Sequence, residues 1–73
     1  MPNKAKPVFN AVLAEVITIT NRMYLIAGTL HQIDFPESEQ HRRWQMARQM
    51  EASADEMLHI SKSLGEIGDL FDD

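Results

Sequence analysis

The residues of this chain best suited to chemistry are Glu56 and His59, which form a Glu-x-x-His pattern, and the isolated Glu15. Glutamate and histidine three positions apart share one side of a helix, and with single glutamates from neighbouring helices they build di-metal sites in bundles. If the chain turns near residue 35, Glu15 lies opposite Glu56, and a dimer supplies two complete sets. Alternatively all three are surface charges, and Asp55 pairs with His59. We therefore treat Glu15, Glu56 and His59 as candidate metal ligands but expect no bound cofactor.

A second candidate site is the run His41-Arg42-Arg43-Trp44. Arginine and tryptophan are enriched in the hot spots of protein interfaces, and they also clamp phosphates or stack on bases. Alternatively Trp44 fills the loop end of a helical core, while the two arginines pair with the glutamates that precede them. Because the surroundings are acidic, a protein partner is favoured over a nucleotide.

Two further features favour contact with a partner. Met46 lies off the main apolar stripe beside Trp44, and its flexible thioether adapts to irregular surfaces. The C-terminal tail mixes acidic residues with Leu70 and Phe71; such a segment either orders on a partner or folds back over the open end of the helices. The predicted partner-binding residues are Arg42, Arg43, Trp44, Met46, Leu70 and Phe71.

Enzymatic activity is not expected from this sequence. The four serines lie at a loop or along one helix, and no glycine-rich phosphate loop is present. A hairpin of two helices also provides no deep pocket for a substrate. The chain is therefore predicted to be non-enzymatic.

The elements that position these residues are helical. Residues 8–33 carry only two formal charges, and their apolar residues recur at alternating spacings of three and four, as in helix-on-helix packing. This seam comprises Phe9, Val12, Val16, Ile19, Met23, Ile26, Leu30 and Ile33. The run from Val16 to Thr20 is β-branched and favours a strand locally, but the heptad pattern continues through it. We therefore predict a helix.

Pro36 separates this helix from a second one. We expect helix 1 over about 8–33 and helix 2 over about 37–64, with Asp34 or Ser38 as the cap and Gly65 as the stop. The hairpin then occupies 8–65, residues 1–7 form a flexible arm, and residues 66–73 form an acidic-hydrophobic tail. The stripe of helix 2 comprises Ala47, Met50, Ala54, Met57, Ser61 and Leu64.

Assembly follows from the short chain and the apolar first helix. A chain of 73 residues without cysteine has no disulfide to stabilise a small core, so oligomerisation is the remaining means. We predict an all-α antiparallel hairpin that dimerises into a four-helix bundle. Its predicted oligomer core is Val12, Val16, Ile19, Met23, Ile26, Leu30, Met50, Met57 and Leu64.

Charge narrows the choice of partner. The net charge is −4, and residues 34–73 hold ten acidic and four basic side chains, which disfavours general binding to nucleic acid. Polar residues within 8–33 make membrane insertion costly. The absence of cysteine and of a signal-peptide cleavage motif favours the cytoplasm. We expect a homodimer or higher oligomer that binds another protein, and no membrane span.

The hairpin plan and the run Ala54-Asp55-Glu56, followed by an acidic tail, resemble Rop-type RNA-binding hairpin proteins, which also dimerise. That resemblance implies RNA binding through polar and basic residues on the outward face of the first helix. Here that helix offers only Lys4, Lys6, Asn10 and Arg22. RNA or nucleotide binding is therefore the alternative function, and metal binding is a further one.

Overall fold

The computed structural model describes residues 5–71, and within that range it contains two antiparallel helices and no strand. Helix α1 spans Ala5–Gln32, a 3-10 turn spans Glu37–Glu39, and helix α2 spans Gln40–Gly68. The predicted all-α hairpin is confirmed. The molecule is a rod of 61 × 14 × 11 Å.

Helix α1 begins three residues before the predicted start and ends one residue before the predicted end. Pro7 does not prevent this, because a proline in the first turn removes only an N–H that has no partner within the helix. Ala5–Pro7 of the predicted flexible arm are therefore helical, and residues 1–4 lie outside the described range.

The β-branched run is helical, as the heptad pattern predicts. Two threonine hydroxyls support it: Thr18 donates to the carbonyl of Ala14 at 3.0 Å, and Thr20 donates to that of Val16 at 2.7 Å. Because its hydroxyl is satisfied within its own helix, Thr20 packs in the helix contact as a small side chain.

Neither predicted cap of helix 2 is formed, since the start of α2 has no side-chain cap hydrogen bond. Instead, the side-chain amide of Gln40 donates to the carbonyl of Phe35 at 2.7 Å, and the Glu39 N–H donates to that of Pro36 at 2.8 Å. The 3-10 turn thus occupies the residues where Asp34 or Ser38 was expected to start the helix, and α2 begins at Gln40.

Gly65 does not end α2, which continues to Gly68. The last turn is held by tertiary contact: the Phe9 ring lies so close to Gly68 that an added Cβ would be 2.8 Å from its Cε1 atom. Phe9 also packs on Phe71, with ring centroids 5.2 Å apart. This packing offsets the poor helix propensity of glycine. Phe71 thus folds back over the open end, whereas Leu70 is 81% exposed.

Adjacent tail residues should therefore differ in their effect on stability. We expect Phe71→Ala to lower the free energy of unfolding by about 1–2 kcal/mol, because it removes an aromatic contact at a half-buried site. The neighbouring Leu70→Ala is the control and should change it by less than about 0.5 kcal/mol. Urea denaturation followed by circular dichroism measures both, and equal losses would contradict the packed tail.

The contact between the helices uses a seam adjacent to the predicted one. On α1 the side chains nearest α2 are Phe9, Leu13, Val16, Thr20, Met23, Ala27 and Leu30. Four predicted residues, Phe9, Val16, Met23 and Leu30, belong to both seams and are half-buried, whereas Val12, Ile19, Ile26 and Ile33 remain exposed. The stripe of α2 is as predicted, with Ala47, Ala54 and Ser61 buried and Met50, Met57 and Leu64 half-buried.

Candidate interaction surfaces

The interior of the hairpin is made of small side chains. The buried residues of the described range are Thr20, Ala27, Ala47, Ala54 and Ser61. Small residues let the two backbones approach closely, but they remove little apolar surface from water. Most of the apolar surface is therefore left outside this contact.

Exposed apolar side chains concentrate on one side of the rod, which we call the apolar face. Its members recur at heptad spacing on both helices, next to the half-buried Met23, Met50 and Met57. They are Val8, Val12, Ile19, Ile26, Ile33, Met46, Ile60 and Ile67. The other exposed large apolar residues in the described range lie elsewhere: Ile17, Leu25, Trp44, Leu58 and Leu70.

Two open grooves lie along the apolar face, and residues of both helices line the first of them. One, of about 440 Å³, is lined by Met23 and Leu30 from α1 and by Met46, Met50 and Ser53 from α2. The other, of about 550 Å³, extends from Met46 towards the loop, where Phe35 and Pro36 line it. Because the grooves share Met46, they form one continuous depression at the loop end of the apolar face.

Polar contacts between the helices lie on the opposite side, which we call the polar flank. The Tyr24 hydroxyl donates to the Asp55 carboxylate, and His31 Nε2 lies 2.9 Å from Glu51 Oε1. The hydrogen bond to Asp55 raises the pKa of Tyr24 above its ordinary value, and partial burial and the charges of Asp55 and Glu51 act in the same direction. The polar groups of the polar flank are therefore paired within the hairpin, whereas the side chains of the apolar face remain exposed.

The Tyr24 contact can be measured directly because the chain has a single tyrosine. We expect Asp55→Asn to lower the pKa of Tyr24 in an ultraviolet absorbance titration. Since the folded pKa is raised, the contact stabilises the hairpin below about pH 10 and is lost as pH rises through the folded pKa. Glu66→Gln, an exposed acid further along α2, is the control and should leave the midpoint unchanged; an unchanged midpoint in Asp55→Asn would contradict the contact.

Trp44 lies on α2 near the loop, on the side away from the apolar face, and is 47% exposed. Its ring stacks near His41, with centroids 6.0 Å apart and planes 20° apart, and the Arg48 guanidinium lies 5.2 Å from its centroid. We call these three residues the Trp44 patch. Arg48 is not among the predicted residues, although its spacing of four from Trp44 places it one turn away. Trp44 thus does not fill the loop end of the core.

The other predicted contact residues point in different directions. Arg43 donates to the carbonyl of His31 at 2.7 Å and thereby satisfies the C-terminal end of α1. Arg42 is exposed, lies 3.4 Å from Glu39 and lines the loop-end groove with Met46. Arg42, Arg43, Trp44 and Met46 therefore do not form one continuous surface.

The candidate metal ligands are not brought together within one hairpin. Phe9 contacts Gly68, so the register of the two helices is centred near residue 38 rather than 35, and Glu15 and Glu56 differ in height by about 9 Å. Asp55 bonds to Tyr24 rather than to His59. Among residues 5–71, no group of three or more histidine or acidic side chains is close enough to hold a metal ion.

Helix α1 is long and apolar enough to cross a membrane, judged by its length and composition alone. A core helix of a soluble protein and a signal sequence pass the same test. The hairpin buries only a small part of this helix, so its apolar residues need a further environment.

Comparisons with protein-family models, with curated proteins and with solved structures found no match to this chain.

Proposed function

We propose that this chain is a small, non-enzymatic interaction protein of the cytoplasm, of the inhibitor or adaptor type, that works as a homodimer and binds a protein partner. The observation that carries the proposal is the division of the surface into an apolar face, which needs a cover, and a separate Trp44 patch.

The area of the hairpin supports the homodimer. Its accessible surface is 5692 Å², whereas a compact monomer of 8.4 kDa exposes about 4,600 Å². The excess is comparable to the roughly 800 Å² that each partner buries in a standard interface. Burial of the apolar face would bring the surface of each chain close to that of a compact protein.

The Trp44 patch supports the protein partner. A half-exposed tryptophan between two basic side chains matches the composition of interface hot spots. The contact with Arg48 restricts the ring before binding, so less side-chain entropy is lost in a complex. Because both neighbours of the ring carry basic side chains, we expect an apolar pocket with an acidic rim on the partner.

RNA binding and metal binding receive less support from the geometry. Arg43 is engaged with α1, and Arg42 lines the loop-end groove, which leaves Arg48 as the arginine beside Trp44. Sedimentation equilibrium at micromolar concentration tests the homodimer: a monodisperse species of 8.4 kDa with full helicity would contradict it. Retention of partner proteins by the wild type and by Trp44→Ala, compared side by side, tests the binding surface.

A further inference from the structure

We infer that the apolar face is covered by a second copy of this chain whose loop lies at the same end of the bundle, so that α1 of each copy packs on α2 of the other. This inference rests on the homodimer proposed above and adds its arrangement. It is argued from the heights of the apolar residues and from the positions of two charges, Arg22 and Glu56.

The antiparallel register of the hairpin fixes the height of every side chain along the rod. Because Phe9 rests on Gly68, residues of α1 and α2 lie at the same height when their numbers add up to 77. A two-fold axis parallel to the helices keeps both copies at the same height, so this rule also holds between them. The copies then have no freedom to slide.

That rule places apolar residues of one copy opposite apolar residues of the other copy. Between copies, Val16 meets Ile60, Ile19 meets Met57, and Leu30 meets Met46, each within about one residue, or 1.5 Å, of equal height. These are the alternating layers of an antiparallel helix pair. The Met46 side chain of one copy then enters the groove that Leu30 lines on the other.

Charge distinguishes this arrangement from the one with loops at opposite ends. Arg22 and Glu56 both lie near the middle of the rod, on the outer side of the residues that form the apolar face. With loops together, Arg22 of each copy meets Glu56 of the other. With loops opposed and full overlap, Arg22 meets Arg22 and Glu56 meets Glu56. Like charges at such positions are unfavourable, so the pairing of opposite charges selects the first arrangement.

A slide of one heptad would relieve the opposed arrangement by pairing Glu15 with Arg22. It would also leave about 10 Å of each loop end uncovered, including Ile33, Met46 and the grooves. The arrangement with loops together covers the full length of the apolar face. It also places both Trp44 patches at one end of the bundle, where a single partner can engage both of them.

The distance between the loops tests the arrangement. The chain has no cysteine, so Ser38→Cys introduces a single attachment site for a nitroxide label at an exposed loop residue. Pulsed electron paramagnetic resonance should give a separation within roughly 30 Å, about the width of a bundle. Loops at opposite ends of a rod of 61 Å would instead give roughly 50 Å or more and overturn the inference while leaving the homodimer standing.

Charge reversal provides an independent readout. We expect Arg22→Glu and Glu56→Arg each to raise the dimer dissociation constant about fivefold to tenfold, and the double variant to return it to within about twofold of the wild type. Recovery of dimer affinity in the double variant would show that Arg22 and Glu56 pair across the dimer. If the losses of the two single variants simply added in the double variant, the inference would be overturned. A wild-type chain that is monomeric in buffer, or that enters neutral phosphatidylcholine vesicles as a monomer, would overturn both the homodimer and its arrangement.

Discussion

Replacing Ile19 with aspartate should dissociate the protein and remove most of its helical signal. Ile19 is 38% exposed in the hairpin and becomes enclosed only when the apolar face is covered. A carboxylate there would be buried without a partner in each half of the dimer, which typically costs several kcal/mol. Sedimentation equilibrium and circular dichroism at the same concentration measure the two effects.

The matched control is Ile17→Asp, two residues away on the same helix. Ile17 has the same side chain and is 46% exposed, but it lies next to the polar flank. Both substitutions therefore change helix propensity equally and differ only in the face that they alter. We expect Ile17→Asp to remain dimeric, with the free energy of unfolding changed by about 1 kcal/mol or less. If Ile19→Asp sedimented like the control, the proposed dimer interface would be wrong.

We expect Ile19→Asp to lose its helices together with the dimer, because the two helices of one hairpin bury little apolar surface between them. The buried residues between the helices are alanines, a threonine and a serine, and most of the stability of a helix in a protein comes from its tertiary packing. We therefore expect a single hairpin to gain too little apolar burial to offset the entropy of ordering two helices. Folding and assembly are expected to be coupled, so the melting temperature should rise with protein concentration.

The helices themselves could be predicted from the sequence, but the seam between them could not. Two seams cross α1 side by side, and both contain Phe9, Val16, Met23 and Leu30. The heptad pattern is equally compatible with either. The choice depends on α2, whose Ala47 and Ala54 provide space for larger side chains of α1 to approach. The seam that α1 uses is therefore determined by the two helices together and cannot be predicted from either helix alone.

The position of the loop and the partners of the polar side chains depend on distances in the folded chain, which the spacing of residues along the sequence does not give. Arg43 looked available for a partner, yet it satisfies a carbonyl at the end of α1, which only the three-dimensional fold brings within 2.7 Å. Asp55 was expected to pair with His59 one turn away, but Tyr24 from the other helix reaches it instead. The connection, residues 33–39, includes the predicted turn near residue 35, but the register of the two helices is centred about three residues later.

Replacing Trp44 with alanine should weaken binding of the protein partner by about 2 kcal/mol or more, which is roughly a thirtyfold loss of affinity. The tryptophan is nearly half exposed and lies outside the helix contact, so its removal should not produce the 3–5 kcal/mol loss of stability that a core tryptophan causes. We expect the helical signal and the dimer to be retained. Titration calorimetry with a partner protein that the wild type retains measures the loss of affinity.

Leu58→Ala is the control for that experiment. Leu58 is 40% exposed on the same helix and the same flank, about 20 Å from Trp44, so its removal deletes apolar surface away from the patch. Affinity should change little in this variant. Equal losses of affinity in Trp44→Ala and Leu58→Ala would mean that the partner does not bind the Trp44 patch.

The fluorescence of Trp44 separates a protein partner from a nucleic-acid ligand, because it is the only tryptophan in the chain. A base that stacks on the ring would quench its emission, and the affinity would fall steeply with salt as phosphate contacts release counterions. We expect no response to a short RNA hairpin or to cyclic dinucleotides at low or moderate salt. Salt-dependent quenching would instead make the bundle a nucleic-acid or nucleotide-binding protein, with Arg48 as the cation beside the stacked base.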